Sequence, residues 1–389
     1  MKRDAVIVSA VRTPIGRQGG AFAGIGAHEL GATALKEAVK RINLDLESID
    51  DVIFGNVIGG GGNIARLSAL EAGFPISIPG LTIDRQCGSG LNAINLAAQA
   101  IKSGDGEVYV VGGAESMSQA PYLMEKPSKA YSTKPPRFMK SRLSPDEIGD
   151  PPMGITAENL AEQYGIPRKE QDEFAHRSQE RMGKAMAEGY FDSQIASVSV
   201  PVRKGEPIMV TKDEHPRPET TLERLTSLPP VFKKDGSVTA GSSSGLNDAA
   251  SAVVVMSREK AEELGLKPFA TVRGYAVSGV DPNIMGIGPV PATRKVMEQT
   301  GLSLEEMDLI EINEAFAAQV LACDRELKMD HEKVNVNGGA IAHGHPLGAT
   351  GAILATKAVY ELDRRGAKYA LITACIGGGQ GIATVLERQ

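Results

Sequence analysis

The sequence predicts an α/β fold made of two similar halves, with a loop domain inserted between them. Three observations support this prediction. Apolar runs of strand length alternate with helical stretches in both halves, two glycine-bounded segments share one pattern, and a proline-rich stretch interrupts the alternation. A chain of 389 residues is longer than most single simple domains, so two or three domains are expected.

Strands are expected where continuous apolar runs of strand length occur, because such runs suit strands that are covered on both faces. The run richest in valine is expected to return from the inserted segment to the first sheet. The runs lie at residues 5–11, 52–58, 108–112, 251–257, 270–277, 309–312, 369–374 and 382–386. The helical stretches between these runs make the pattern α/β.

Two segments look like copies of one unit, which consists of a turn, a helix, a glycine and a strand. The first copy begins at Cys87 and its helix ends at Gly104, and the second begins at His345 and its helix ends at Gly366. Glycine is favoured after a helix because it readily adopts the left-handed conformation. Apolar residues mark one face of each helix: Leu91, Ile94, Ala98 and Ile101 in the first, and Leu354, Ala358 and Leu362 in the second. A pseudo-twofold relation would bring the two helix starts close to one axis.

Between the two copies, residues 118–245 do not keep the alternation of strands and helices. Prolines and basic residues crowd the stretch 121–152, which predicts an inserted loop domain rather than part of a sheet. The basic cluster is either a solvated surface, or a patch for anionic phosphates or a subunit contact. We expect a first half of residues 1–117 plus 246–268, a loop domain of residues 118–245, and a second half of residues 269–389.

The bulk composition excludes several classes of protein. A formal net charge of -6 argues against a nucleic-acid binder or a polybasic membrane binder. No apolar stretch has the length of a membrane span, and the apolar run after Asp4 is too short for a signal peptide, so a cytoplasmic location is expected. Three cysteines without C-x-x-C spacing predict neither a disulfide framework nor a zinc or redox site.

The residues around Cys87 have features that a cysteine packed in a core does not need. Cys87-Gly88-Ser89-Gly90 opens an amphipathic helix, where free N–H groups and the helix dipole are expected to lower the thiol pKa from about 8.5 towards neutrality. The two glycines allow a substrate or another backbone to approach closely. The motif therefore predicts a nucleophile, whereas Cys323, inside an apolar helical stretch, is expected to be a core residue.

Three further motifs lie at strand ends or helix starts. In Gly344-His345-Pro346, the histidine is either structural or the base that a cysteine nucleophile needs. In Cys375-Ile376-Gly377-Gly378-Gly379, backbone N–H groups can hold a phosphate or an oxyanion. The polar residues of Asn313-Glu314-Ala315-Phe316 either cap the next helix or face a site. A metal bound by His343 and His345 is a weaker alternative, because no carboxylate or cysteine lies at ligand spacing.

With these four motifs in this order and at this spacing, the sequence resembles the thiolase family over essentially its whole length. The resemblance implies a five-layered αβαβα core made of two similar halves, together with a loop domain. It also implies coenzyme A (CoA) thioesters as substrates, no metal or redox cofactor, and a homotetramer or a homodimer.

The resemblance also implies catalytic roles. Cys87 would accept the acyl group, His345 would take its proton, and Cys375 would move the proton on the α-carbon of the substrate. The backbone N–H groups of Cys87 and Gly377 would hold the oxygen of the acyl-enzyme. His345, with a water placed by Asn313, would hold the enolate oxygen.

The substrate contacts implied by the resemblance lie elsewhere in the chain. CoA would contact Arg217, Phe232 and Ser244, and the acyl group would lie near Met153 and Met285. The sequence departs from the family pattern at four positions, and at two of them Asp84 and Ser242 stand where asparagine is common. Pro152 stands where acetoacetyl-type members often have histidine, and His343 stands where an apolar residue is common.

The expected activity is the condensation of two acetyl-CoA to acetoacetyl-CoA and CoA, or the reverse thiolysis, through an acyl-Cys87 intermediate. The nearest alternative is a 3-ketoacyl-CoA thiolase for longer chains in fatty-acid breakdown. A non-catalytic CoA- or lipid-binding scaffold is a more distant one. A nucleotide-dependent enzyme that uses residues 59–62 as a phosphate loop is also a distant alternative, because that glycine run lacks the G-x-G-x-x-G spacing and a following Lys-Ser/Thr.

Overall fold

The computed structural model describes residues 3–59, 62–131 and 133–389. Gly60 and Gly61, which belong to the glycine run considered as a phosphate loop, lie outside the described residues. The strands of the described residues are β1 (Ala5–Arg12), β2 (Gly16–Arg17), β3 (Asp51–Gly55), β4 (Gly80–Ile83), β5 (Val108–Ser116), β6 (Val198–Val200), β7 (Ile208–Val210), β8 (Asn247–Ser257), β9 (Ala270–Gly279), β10 (Leu309–Ile312), β11 (Tyr369–Ile376) and β12 (Gln380–Arg388).

The helices of the same part of the chain are α1 (Ala27–Lys40), α2 (Ile64–Glu71), α3 (Ser89–Ser103), α4 (Met153–Gln163), α5 (Arg168–Ala187), α6 (Leu222–Thr226), α7 (Arg258–Glu263), α8 (Pro289–Thr300), α9 (Ala317–Leu327), α10 (Ala340–His343) and α11 (Leu347–Arg365). Short 3-10 helices lie at Leu46–Ser48, Ala240–Ser242 and Pro282–Ile287.

The sheet repeats one strand order twice. In the first half β4, β3 and β5 run parallel, and β8 and β1 continue the sheet antiparallel. In the second half β10 and β11 are parallel, and β12 and β9 follow antiparallel. A parallel bridge between Ile310 and Val334 takes the place that β4 has in the first half. The halves meet where β1 pairs with β9 over two residue pairs, so the duplication predicted from the sequence is confirmed.

Five layers result from the way helices cover this sheet. Helices α1 and α2 pack on the outer face of the first half, and α8 and α9 pack on the outer face of the second half. Helices α3 and α11 share one core with the inner faces of both halves, including Val111, Val253 and Ile372. The layered αβαβα fold class is therefore confirmed.

The two central helices approach each other through glycines. A Cβ atom on Gly90 would lie 2.8 Å from the carbonyl oxygen of Gly348, and one on Gly351 would lie 2.3 Å from the backbone nitrogen of Leu91. Real Cβ atoms do not come so close, so only glycine permits this contact between α3 and α11. The close approach places the starts of both helices, and hence Cys87 and His345, at one end of the central layer.

Several strand bounds differ from those predicted. Strand β4 was not predicted, because it has only four residues and is partly exposed at the sheet edge, so it carries no long apolar run. The strand expected at 52–58 ends at Gly55, where the chain turns away to meet Glu115. Strand β8 begins earlier than residue 251, at Asn247. Residues 118–245 also contain the helices α4 and α5, and the division into domains stays a prediction.

Candidate active site

Cys87 lies on a tight turn between β4 and α3. The preceding residue, Gln86, has a φ of 44°, in the left-handed region. This conformation costs energy for any residue that carries a side chain. Ser89 stabilises the turn: its hydroxyl accepts the N–H of Arg85 at 2.8 Å and donates to the carbonyl of Gln86 at 2.7 Å. The turn therefore places Cys87 at the N-terminus of helix α3.

The prediction that the pKa of Cys87 is lowered is wrong. Burial of the thiol raises its pKa to about 11, and the charges of Glu115 and Asp84 add to the rise. The N–H groups of Gly377 and of Cys87 itself oppose the rise through hydrogen bonds to the sulfur, but they do not outweigh burial. Cys87 is nevertheless the partly exposed cysteine, whereas Cys323 and Cys375 are buried. The resting site therefore holds a thiol that needs a base.

His345 lies just before α11, and its ring is held on both sides. Thr350 donates its hydroxyl hydrogen to the carbonyl of Pro346 at 2.9 Å, so its oxygen accepts the Nδ1–H of His345 at 2.7 Å. That bond leaves Nε2 unprotonated, and this nitrogen accepts a hydrogen bond from the side-chain nitrogen of Asn313 at 3.5 Å. Burial lowers the pKa of His345 to about 4. The neutral ring is thus ready to take a proton on Nε2.

The Asn313-Glu314 pair at the end of β10 serves two purposes. Asn313 is fully buried, and its side-chain oxygen has no hydrogen-bond partner among the described residues, so the oxygen is available to a water or a substrate. Glu314 accepts bonds from Ser178 at 2.7 Å, from Asn335 at 2.7 Å and from the N–H of Ile341 at 3.1 Å. The glutamate therefore fixes the loop that leads to His345.

Cys375 lies near the end of β11, and the glycine turn follows it. Burial raises the pKa of Cys375 well above the usual value, and the charge of Cys87 contributes to the rise. Gly378 and Gly379 have φ angles of 83° and 82°, which favour glycine. Gly88, next to Cys87, packs on the side chain of Ile376, because a Cβ there would lie 2.6 Å from that side chain. The two cysteine motifs, remote in the chain, therefore meet in the structure.

Met285, predicted to line the acyl site, belongs to the buried core that also contains Cys375, and Met153, predicted to line it too, is half-buried and packs against that core. If Gly377 carried a Cβ atom, that atom would lie 3.0 Å from the side chain of Leu143 and 3.8 Å from the sulfur of Met153. Both side chains therefore lie beside Gly377. Met285 is buried. Leu143 was not found from the sequence, because a single leucine in a proline-rich stretch carries no distinguishing signal.

A cleft of about 560 Å³ contains Arg217, Phe232 and Ser244 together. Phe232 contacts Phe316 edge to face at a centroid distance of 5.9 Å, and the N–H of Ser244 donates to the carbonyl of Ala315 at 3.0 Å. The cleft wall is therefore joined directly to the Asn313-to-Phe316 motif. All three residues predicted to contact CoA lie in one cavity beside the site.

Asn247 connects this cleft to His345, and sequence reasoning did not find it. Its side-chain oxygen accepts the N–H of His345 at 2.9 Å, and its side-chain nitrogen donates to the carbonyl of Gly16 at 2.8 Å. The same nitrogen lies 3.2 Å from Nδ1 of His215, a cleft residue whose pKa burial lowers to about 4. The contacts join residues far apart in the chain, so no local pattern indicates them.

His343 lies apart from these interactions. Its Nδ1–H donates to the carbonyl of Gly344 at 2.9 Å, and its Nε2 has no partner among the described residues. Burial lowers its pKa, and the positive charges of Lys357 and Arg12 add to this effect. His343 and His345 are thus in different environments. The described residues contain no group of three or more His, Cys, Asp or Glu that could hold a metal ion.

Within the described part of the chain, no helix is long and apolar enough to cross a membrane.

Comparisons with known proteins agree with this geometry. Residues 5–259 match the family model "Thiolase, N-terminal domain", and residues 266–388 match "Thiolase, C-terminal domain". The acetyl-CoA acetyltransferase of Pseudomonas aeruginosa is 50% identical over 391 residues, which cover 99% of this chain and 100% of that protein.

Two solved structures are also similar to this chain. The Bacillus anthracis acetyl-CoA acetyltransferase has a TM-score of 0.94 at 46% identity, covering 100% of this chain and 99% of its own. Human mitochondrial 3-ketoacyl-CoA thiolase in complex with CoA has a TM-score of 0.93 at 44% identity, covering 100% and 98%. The two family models together span nearly the whole chain, and we conclude that this chain belongs to the thiolase family.

Proposed function

We propose that this chain transfers acyl groups between CoA thioesters, condensing two acetyl-CoA to acetoacetyl-CoA and CoA or running the reverse thiolysis. The observation that carries the proposal is the meeting of four motifs at one end of the central layer. There the Cys87 sulfur faces the N–H of Gly377, and Nε2 of His345 faces Asn313. Family membership and the names of the relatives support the same activity.

In the proposed first half-reaction, the sulfur of Cys87 attacks the thioester carbonyl while Nε2 of His345 takes the thiol proton. The N–H groups of Cys87 and Gly377 stabilise the negative oxygen that develops. The bond to the CoA sulfur then breaks, and His345 returns its proton to that leaving sulfur. The products are acetyl-Cys87 and free CoA.

In the proposed second half-reaction, a second acetyl-CoA occupies the cleft. Burial keeps Cys375 a thiol at rest, so its sulfur first loses a proton to solvent and the resulting thiolate then removes a proton from the α-carbon. The enolate oxygen lies between His345 and a water at the unpartnered oxygen of Asn313. The carbanion attacks the acetyl carbonyl on Cys87, a carbon–carbon bond forms, and the carbon–sulfur bond to Cys87 breaks. The proton that Cys375 took from the α-carbon then passes to the departing Cys87 sulfur, which restores the thiol. No atom changes its oxidation state through an outside oxidant or reductant, so no redox partner is needed.

The longer-chain alternative differs in the acyl group and not in the chemistry. Measuring kcat/KM for 3-ketoacyl-CoA substrates of 4, 8, 12 and 16 carbons would separate the two activities. The acetyl-transfer proposal expects the four-carbon substrate to be preferred by at least about tenfold, since each unaccommodated methylene group costs roughly 1 kcal/mol or more. A maximum at eight or more carbons would favour the longer-chain enzyme, and no turnover of any substrate would defeat the proposed function.

Alkylation offers a test of the nucleophile. We expect iodoacetamide to modify Cys87 before Cys323 and Cys375, because the other two are buried. Since burial raises the pKa of Cys87 to about 11, the thiolate fraction and the alkylation rate should rise about tenfold per pH unit from pH 7 to 9. Peptide mapping and the rate at each pH would check this. A plateau already at pH 7 would contradict the raised pKa of Cys87. Loss of activity with only Cys323 modified would contradict the assignment of Cys87 as the nucleophile.

We further infer that the chain forms a homo-oligomer, a homotetramer or a homodimer, in the cytoplasm. Strand β4 lies at the edge of the sheet with Leu81 exposed, and an unprotected edge strand can pair with a second copy. A hairpin-like arm with pairing between Met124 and Phe138 carries Tyr122 with 87% of its surface exposed. Apolar side chains so exposed are typical of contact surfaces.

Beyond CoA thioesters the proposed reaction needs no cofactor.

A further inference from the structure

Glu115, near the end of β5, is a fully buried carboxylate that the proposed reaction steps do not use. One of its oxygens accepts the side-chain N–H of Asn56 at 2.9 Å and the N–H of Ile58 at 3.1 Å. The other oxygen accepts the N–H of Val57 at 3.0 Å and the N–H of Gly348 at 2.8 Å. No cation forms an ion pair with Glu115 among the described residues. Four N–H groups therefore stabilise the carboxylate in place of a counter-ion.

The four donors come from two segments that meet beside the active site. Three of them follow β3, and the fourth, Gly348, lies in the first turn of α11, three positions after His345. An N–H group in the first turn of a helix has no partner inside the helix, and the carboxylate supplies one. A Cβ atom on Gly55, the last residue of β3, would lie 2.5 Å from the carbonyl oxygen of Gly348 and 2.5 Å from the Cβ of Ser89. The end of β3 therefore packs against the starts of both central helices, two residues from Cys87.

Glu115 and Cys87 affect each other's protonation. Burial, and to a smaller extent the charge of Asp84, raises the pKa of Glu115 to about 7, although the N–H groups lower it. The charge of Glu115 in turn adds to the larger effect of burial in raising the pKa of Cys87. The other neighbours carry no opposing charge: His345 is neutral at pH 7, because burial lowers its pKa to about 4, and the residue opposite Glu115 on β8 is Ala249. Helix α1 packs on the other face of the sheet.

We propose that Glu115 is a positioning residue, whose carboxylate holds the start of α11, and with it His345, against the end of β3 beside Cys87. The proposal rests on the proposed function, since it takes Cys87 as the nucleophile and His345 as its base. The length of the side chain sets the distance between the two segments. Its charge has a second effect, because a negative group close to the sulfur opposes formation of a thiolate. Cys87 therefore stays a thiol until His345 takes its proton.

The effect of charge is tested with Glu115→Gln, which keeps the length of the side chain. The measurement is the rate at which iodoacetamide alkylates Cys87, as the ratio of variant to wild type. We expect this ratio to rise roughly three- to tenfold from pH 6 to pH 9, because Glu115 of the wild type becomes charged over this range and opposes the thiolate. A change in packing alone would alter the rate by a factor that does not depend on pH.

The matched control for charge is Glu158→Gln. Glu158 is a buried glutamate on α4 that also accepts two backbone N–H groups, those of Ser237 and Val238. Its charge is not among those that raise the pKa of Cys87. The alkylation ratio of this variant should therefore be the same at every pH.

The effect of length is tested with Glu115→Asp, which keeps the charge but is one methylene group shorter, so its carboxylate cannot reach both segments. We expect kcat for acetoacetyl-CoA thiolysis to fall about tenfold with KM within twofold, because His345 is displaced while the CoA cleft is unchanged. The alkylation ratio of this variant should not rise with pH.

Thermal unfolding of both variants shows whether they are folded at the assay temperature. If Glu115→Gln does not fold, the kcat of Glu115→Asp decides. A wild-type kcat in Glu115→Asp, or an alkylation ratio of folded Glu115→Gln that does not change with pH, would overturn the proposal. A wild-type enzyme that does not turn over acetoacetyl-CoA would instead defeat the proposed function, and the alkylation ratio would still report the coupling of Glu115 to Cys87.

Discussion

The substitution His345→Ala is expected to slow both half-reactions by about 10²–10⁴-fold, the usual contribution of a general base. The first half-reaction loses the acceptor of the thiol proton, and the second loses a donor to the enolate oxygen. The raised pKa of Cys87, about 11, makes the base necessary, because very little thiolate exists at neutral pH without it. Acetylation of Cys87 followed by intact-mass measurement, together with condensation rates, would report the two losses separately.

The control for this substitution is His343→Ala. His343 is the last residue of α10, two positions before His345. It is also buried, and it donates only to the carbonyl of Gly344. Its replacement removes an acceptor nitrogen that has no partner among the described residues, so activity should fall far less than with His345→Ala. If His343→Ala proved as damaging to both rates while thermal stability was unchanged, the proposed base would be wrong.

Much of the site could be predicted from the sequence, because its residues lie in short motifs at strand ends and helix starts. Cys87, His345, Asn313 and Cys375 all belong to such motifs, and the structure brings them together. Their catalytic roles stay predictions. The duplication of the fold was visible for a similar reason, since Gly104 and Gly366 end matching helices with φ angles of 87° and 64°.

What the sequence could not provide depends on contacts between distant segments. Asn247 supports His345 from 98 positions away, and neither a turn nor a periodic pattern indicates that bond. The buried ion pair of Arg12 with Asp213, which joins β1 to the segment before Arg217, spans 201 positions. The pKa of Cys87 was predicted in the wrong direction because the helix position is a local feature, whereas burial depends on the whole fold.

The substitution Cys375→Ser is expected to separate the two half-reactions. Acetylation of Cys87 uses His345 and the N–H groups at Cys87 and Gly377, and none of these depends on the Cys375 sulfur. Exchange between labelled CoA and acetyl-CoA should therefore survive within roughly tenfold, whereas condensation and thiolysis should fall by about 10²–10⁴-fold. Serine keeps nearly the size of cysteine but has a far higher pKa, so proton transfer at the α-carbon is the function that it removes.

The structure strengthens the choice of serine over a smaller residue. Cys375 is fully buried in the core with Met285 and Phe316, so a cavity left by alanine or glycine would disturb the neighbouring turn at Gly377. Cys323→Ser is the matched control, because Cys323 is also buried but donates to the carbonyl of Gly286 at 3.2 Å, a bond that a serine hydroxyl can keep. Intact-mass detection of the acetyl-enzyme and the exchange rate would decide the matter. If Cys375→Ser abolished acetylation as well, or kept full condensation activity, the division of roles between the two cysteines would be wrong.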